Sequence, residues 1–441
     1  MSPPGNRLRA LGGIETRMAA MHEGLLGTTQ GSQVCVLKGA LTLGALCSAA
    51  RTLHEKYQAL RCTVQFEQGT FAFFETVREV DVRQVSVSDA TGFRGAVHEH
   101  YLDELNRPLD AASSLWRLLL VSGPGHDDAA LVMTCHHAIM DGAGMFVLAD
   151  QLLAHVDRAM AGVRQEPTAS MMLAPEVDSF LAPERARVPE STPAPAQTQA
   201  MPHRRQVPLE QRRTFVEYCE LSEDAHRSLR RRAALERLSI NVLIAAAMAR
   251  AFAELGFDLE QVPLKTAISL RQFAPEPYAA PSRLGCFISV ANTPISLDPA
   301  RSLSQLAECY LKTLNDAFAG CAANPGEAPA RLAKKLEQLR DSQSFAEGIG
   351  LTNVGPVSIT REFRHFRVVG YAGAANRRAG NVALVVSPSS FGDELGLPIT
   401  FTEPAMDRMS VRHFANRLVR ELSMYAEARS RSSNWIQEKQ P

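Results

Sequence analysis

Several features that would narrow the chemistry at once are missing from this sequence. Its eight cysteines, Cys35, Cys47, Cys62, Cys135, Cys219, Cys286, Cys309 and Cys321, show no CxxC spacing. That excludes a disulfide frame or zinc knuckle and leaves small buried hydrophobes in a reducing compartment. An excess of one charge is also missing: 47 Lys plus Arg stand against 47 Asp plus Glu. No overall pull toward nucleic acid or an anionic membrane is expected. The local basic clusters, Arg230-Arg231-Arg232 and His203-Arg204-Arg205, read as solvated helix or linker faces. No apolar run approaches the roughly 18 residues needed to span a bilayer, and Met1 to Arg7 holds no basic-then-apolar leader, so a cytoplasmic protein without a membrane span is expected. No internal repeat is visible.

What is present is an ordinary globular balance, 45% hydrophobic and 21% charged over 441 residues, a length that favours two domains or large lobes. In the first half, Thr42 caps an apolar stripe at helical spacing through Leu43, Leu46, Ala50, Leu53 and Tyr57. Cys62 to Phe66 and Thr70 to Phe74 form a hairpin around Gly69, and Leu115 to Val121 and Ala129 to Thr134 are apolar strands. Met145 to Met160 resumes a helical period. Arg187 to Gln206, with Pro189, Pro193, Pro195 and Pro202, cannot hide enough apolar surface to fold and reads as a connector. The expected division is a first lobe over 1–186, a connector over 187–206 and a second lobe over 207–441. The second lobe begins with a strand (Thr214 to Leu221), a helix entered at Ser222, and an Ala-rich helix from Ile240 to Leu255 capped by Ser239. Strands near Leu264 to Leu270 and Gly285 to Ala291 precede a helix from Ser302 to Phe318. Further strands are expected at Gly348 to Val354, Phe363 to Tyr371, Val382 to Ser387 and Pro398 to Thr402, with a closing helix over Val411 to Ala426.

The chemistry sits after the apolar strand Ala129 to Cys135: His136-His137-Ala138-Ile139-Met140-Asp141-Gly142. Imidazoles at a strand end beside a loop are held rigidly yet remain within reach of substrate. Three readings compete. Both histidines are satisfied core residues and Asp141-Gly142 is a turn; or His136, His137 and Asp141 ligate a metal; or one imidazole removes a proton from a nucleophile. Neighbouring residues on a strand point to opposite faces, which disfavours the metal. The near-neutral pKa of imidazole suits the acid/base reading.

The run His136 to Gly142 matches the HHxxxDG motif and so resembles the chloramphenicol acetyltransferase-like superfamily. That superfamily includes nonribosomal peptide condensation domains and free-standing polyketide-associated O-acyltransferases of the phthiocerol dimycocerosyl transferase type. Arg9 to Glu15 resembles the opening segment of the free-standing members, and Gly350 to Val357 their later Asn-x-Gly strand. The resemblance implies an α/β fold of two similar lobes in a V, with a tunnel between them that admits an acyl thioester from one side and an acceptor from the other. It implies that His137 is the base, with no acyl-enzyme, because the tunnel brings donor and acceptor together. Asp141 would pair with an Arg of the other lobe, for which Arg271 is the candidate, while His136 becomes a supporting residue. The Gly142 N–H would face the oxyanion, with side-chain donors near Ser387, Ser389 or Ser390 as alternatives. The Asp-Phe-Gly-Trp-Gly of plant-type members has no match, Ser390-Phe391-Gly392-Asp393 being at best a fragment.

The leading expectation is acyl transfer from coenzyme A, or from a phosphopantetheinyl acyl carrier protein in trans, to a hydroxyl of a small natural product or lipid-like molecule. The alternatives are a stand-alone condensation protein joining carrier-bound partners, peptidyl carriers included, through an ester or amide, and a non-catalytic member that binds a carrier or ligand. No tightly bound cofactor, metal or nucleic acid is expected, and the resemblance suggests a monomer.

Overall fold

A computed structural model describes residues 5–89, 91–123, 128–163, 169–181, 201–298, 300–321 and 329–427, so most of the expected connector, 187–200, lies outside the described residues. Two large sheets organise the chain. The first has five strands in the order Phe366–Ala375, Gly31–Gly39, Asp128–Cys135, Trp116–Ser122 and Asp81–Ser86. The second has six, in the order Ile288–Asn292, Leu264–Ser269, Ile349–Leu351, Leu384–Val386, Ile399–Glu403 and Arg213–Glu217.

The strand that leads into the histidines is central in the first sheet and buried from Ala129 through Cys135. Its continuous apolar run follows from helices covering both faces. Leu131, Met133 and Cys135 join one core with the helices Leu43–Lys56 and Gly142–Met160, whereas Ala130 and Val132 join another with the helix Phe93–Asn106. The period of two thus assigns alternate residues to two cores. In the second lobe the helix Ile240–Ala253 is buried almost all round, and its small alanines let the helices Leu303–Cys321 and Arg408–Glu427 approach closely.

The first sheet is completed from far along the chain. Phe366–Ala375 pairs antiparallel with Gly31–Gly39, running from Phe366 opposite Gly39 to Ala375 opposite Gly31. Gly31 is in turn opposite Cys135. The crossing strand therefore ends at the same edge of the sheet as the His motif begins. Asn376, just beyond it, is held there: its N–H donates to Gln30 O (2.8 Å), its side-chain amide to Leu105 O (2.9 Å), and its carbonyl accepts from Thr29 N (2.9 Å).

Local signals account for much of this. Thr42, Ser222 and Ser239 each accept a bond from the amide three residues on, at the start of their helices. Gln68 and Gly69, both with positive φ, close the hairpin Cys62–Glu67/Thr70–Glu75. Other expectations need correction. The strand read over Thr214 to Leu221 breaks after Glu217, and its end, Glu220–Leu221, joins a separate four-stranded sheet. At the described end of the connector, Met201 and His203 are buried and the Arg204 guanidinium lies 4.5 Å from the Phe257 ring centroid, so this part packs onto the second lobe. Cys309 is exposed. The helices Gly13–Gly24, Phe93–Asn106 and Pro329–Asp341 carry weaker signals and were not expected. Among the described residues no helix is long and apolar enough to cross a membrane.

The two halves also meet backbone to side chain. Val354, from the Asn-Val-Gly stretch, packs on the first-lobe core, and a Cβ built on Gly142 would lie 2.6 Å from Val354 Cγ1. Only a residue without a side chain permits that approach. Gly142→Ala is therefore expected to lower stability by about 1–3 kcal/mol through overpacking. Adding Val354→Ala should recover most of it in urea unfolding. A double variant no more stable than the single one would contradict this contact.

Candidate active site at the junction of the lobes

His136 leaves the strand with its N–H donating to Leu115 O (2.8 Å), and its ring is fully buried. Nδ1 accepts from the Ala138 N–H (3.0 Å), which leaves the proton on Nε2, an atom with no partner among the described residues. The His22 ring lies 4.5 Å away, centroid to centroid, and its Nε2 bonds Leu109 O (2.9 Å). Burial, reinforced by His22 and His137, holds the His136 pKa well below the usual imidazole value. Fully buried and neutral, His136 shapes the turn and does not line the cavity that His137 faces.

His137 opens the short 3-10 turn His137–Ile139, is only half-buried and lines the cavity between the lobes. Burial lowers its pKa; its own carbonyl, Asp141 and the Met140 carbonyl oppose that shift, and the positive charge of Arg377 adds to it. A depressed pKa keeps the ring unprotonated at neutral pH, as a proton acceptor requires. Its Nδ1 is 4.0 Å from the Cys286 thiol, which burial holds protonated.

Asp141 caps the helix Gly142–Met160, its Oδ1 accepting from Gly144 N (2.8 Å). The same carboxylate receives a fork from Arg271, Nε to Oδ2 at 2.8 Å and Nη2 to Oδ1 at 2.9 Å. Arg271 follows the strand Leu264–Ser269 of the other lobe. Its remaining donors reach Ala280 O (2.9 Å) and Arg283 O (3.1 Å), and its guanidinium carbon sits 4.6 Å from the Phe287 ring centroid. Both side chains are almost entirely buried. The structure thus brings Asp141 and Arg271 into one bidentate pair across the lobes, with Gly142 beside it and His137 four residues earlier on the cavity wall.

The cavity, of about 190 Å³, takes His137, Asp141 and Gly142 from the first half and Ala267, Ile288 and Val385 from the second. Gly142 N–H belongs to the first helical turn, whose amides have no intrahelical acceptor. Ser387 and Ser389 also reach the cavity, while Ser390 does not line it. Four charged residues on its wall, Arg17, Lys265, Glu347 and Arg377, were not singled out from the sequence. Arg377 carried the one usable signal: it follows an apolar strand in the polar run Asn376 to Asn381, as His137 does in its own segment.

The sealed histidines make stability depend on pH. His22, His136 and His203 are all buried, and burial lowers each pKa. In the unfolded chain they titrate near about 6.5. Below that value the unfolded chain takes up protons that the folded chain refuses, so stability falls as pH drops toward the folded pKa values and is fully present above it. The urea midpoint should therefore decline between roughly pH 6.5 and 5, ahead of most carboxylates. His136→Asn should flatten that slope, and an unchanged slope would contradict the assignment.

Comparison with known proteins agrees with this architecture. Residues 210–418 match the family described as phthiocerol/phthiodiolone dimycocerosyl transferase C-terminus. The fold is similar to that of polyketide synthase associated protein 5 from Mycobacterium tuberculosis: TM-score 0.69, 18% identity, 96% of this chain and 100% of that one. It is similar also to TRI3 trichothecene 15-O-acetyltransferase from Fusarium sporotrichioides: TM-score 0.70, 13% identity, 94% and 95% covered. The epimerization domain from the third module of tyrocidine synthetase B shares it too, with TM-score 0.68, 14% identity and 96% and 97% covered. In sequence, cyclosporin synthetase simA of Tolypocladium inflatum is 32% identical over 121 residues, 26% of this chain, and the chain spans only 1% of that protein's length. The chain thus has the fold shared by these solved structures, and its residues 210–418 match the dimycocerosyl transferase C-terminal family.

Proposed function

We propose that the chain moves an acyl group from a thioester, carried by coenzyme A or by a phosphopantetheinyl carrier protein in trans, to a hydroxyl acceptor, with His137 as general base. The observation that carries this reading is the contrast between the two adjacent imidazoles: one is sealed in the core, and the other opens on a cavity walled by both lobes. An unprotonated ring nitrogen of His137 takes the acceptor proton as the hydroxyl oxygen bonds to the thioester carbon. The carbonyl electron pair moves onto oxygen, beside the Gly142 N–H and the positive end of its helix. Collapse breaks the carbon–sulfur bond, and the departing thiolate takes the proton back from His137. No acyl-enzyme forms, and no tightly bound cofactor is needed, because the donor brings the activated bond and the cavity supplies proximity.

A stand-alone condensation role, joining carrier-bound partners through an ester or amide, is the second reading. It is favoured by the local identity, 29% over 136 residues and 36% over 74, to two proteins named nonribosomal peptide synthetases. That an epimerization domain has a similar fold is a reminder that the fold alone does not choose the reaction.

The two readings differ in donor and product. The full chain is offered hexanoyl-CoA, or hexanoyl loaded on a carrier protein, with alcohol and amine acceptors, and products are followed by mass. Free thiol and an ester are expected, and an amide made from the carrier-bound donor would select condensation. His137→Ala should lower the rate by about 10²–10⁴-fold. The acid limb of the wild-type pH profile should lie below about 6.5. Undiminished turnover by the His137→Ala variant would refute the role of base.

A further inference from the structure

The cavity carries a charge that the acyl-transfer chemistry does not use. Arg377 lines it together with His137, yet its guanidinium donates no hydrogen bond among the described residues, and its Nε is shut away from solvent without a partner. Its backbone, by contrast, is fixed on both sides: the N–H donates to Thr214 Oγ1 (2.9 Å), and the carbonyl accepts from Thr402 Oγ1 (2.6 Å). Asn376 just before it is tied to the first sheet, as described. The fold fixes the backbone of Arg377 and gives its guanidinium no hydrogen-bond partner among the described residues.

Nearby charges do not cancel it. Arg17, on the helix Gly13–Gly24, lines the same cavity and approaches Glu347, Nη2 to Oε1 at 3.9 Å. Glu347 also acts electrostatically on Arg377. One carboxylate therefore faces two guanidiniums. Lys265, another cation of the wall, has a contact of its own. Leaving a buried guanidinium nitrogen such as Arg377 Nε unsatisfied is costly, and buried polar atoms without partners call for an explanation, an absent ligand being one. Most of the remaining wall is apolar, including Met18, Met140, Ile288, Val290 and Val385.

We propose that Arg377, with Arg17 beside it, is a subsite for a carboxylate on one of the two reacting molecules, so that the substrate is an otherwise apolar acid. On the acceptor side this is a hydroxy acid; on the donor side it is a dicarboxylic acyl group. The planar fork of arginine matches a carboxylate with two parallel hydrogen bonds. The phosphate of a pantetheine arm does not suit the site. It is separated from the sulfur by the whole length of the arm, whereas Arg377 lines the same cavity as His137, beside which the proposed reaction places the thioester. This inference names the substrate class for the acyl-transfer reading and rests on it, but its test reads binding and needs no turnover.

Ligand-observed NMR titrations on the full chain would compare 3-hydroxydecanoate with its methyl ester for the acceptor, and succinyl-CoA with butyryl-CoA for the donor. In one of the two pairs the acid is expected to bind roughly tenfold more tightly. Arg377→Met should abolish that preference while leaving the neutral member's affinity unchanged. Arg377→Lys, a check that the position tolerates substitution, should keep part of the preference, and circular dichroism reports whether each variant folds. The pair that discriminates tells which substrate bears the carboxylate. Equal affinity within both pairs, no detectable binding of any of the four, or a preference that survives Arg377→Met overturns the proposal. If the preference holds but no thioester is consumed, the subsite stands and the catalytic reading falls.

Discussion

The fork between Asp141 and Arg271 is the interaction on which the arrangement of the site depends. It joins the cap of a first-lobe helix to a strand end of the second lobe, with both charges out of water. Such a pair gains little over an apolar contact of the same size, but removing one partner strands a buried charge and costs about 3–5 kcal/mol. Here every strong donor of Arg271 is used, on the carboxylate or on the carbonyls of Ala280 and Arg283. Asp141 also holds the Gly144 amide. The lobes, the helix start and the segment carrying His137 consequently meet at this contact.

Topology supplies the second constraint. Because the crossing strand Phe366–Ala375 ends beside Gly31 and Cys135, a segment remote in sequence arrives where the His motif begins. Arg377 and the histidines share a cavity for that reason. Gly142 and Val354 meet for a related one: the two halves close tightly enough that a side chain at position 142 has no room.

The sequence makes legible what is local. Thr42, Ser222 and Ser239 announce helix starts through a side chain and an amide three residues on, and Gly69 announces its hairpin. The His motif stands out because adjacent imidazoles after a buried strand are unusual in residue type. What decides the difference between His136 and His137 is burial, and that depends on packing against His22, far away in sequence. Arg271 was nameable only through family resemblance, since a lone arginine after a strand looks like any surface cation. Arg17, Glu347 and Arg377 were out of reach, because the wall they form comes from three separate segments. The broken strand at Glu217 was misread because an apolar pattern continues across a change of sheet.

Together these features describe an imidazole, the proposed base, presented to a two-lobed cavity by a turn beside a buried ion pair. The most direct test is the turnover of Arg271→Lys, with Arg271→Met beside it, at a temperature where circular dichroism shows each variant fully folded. Lysine keeps the charge but cannot fork. Both folded variants are predicted to lose most of their turnover, with the acid limb of the pH profile displaced as the His137 turn relaxes. Full turnover with an unshifted profile in a folded Arg271→Met would contradict the account, because the pair would then serve folding alone.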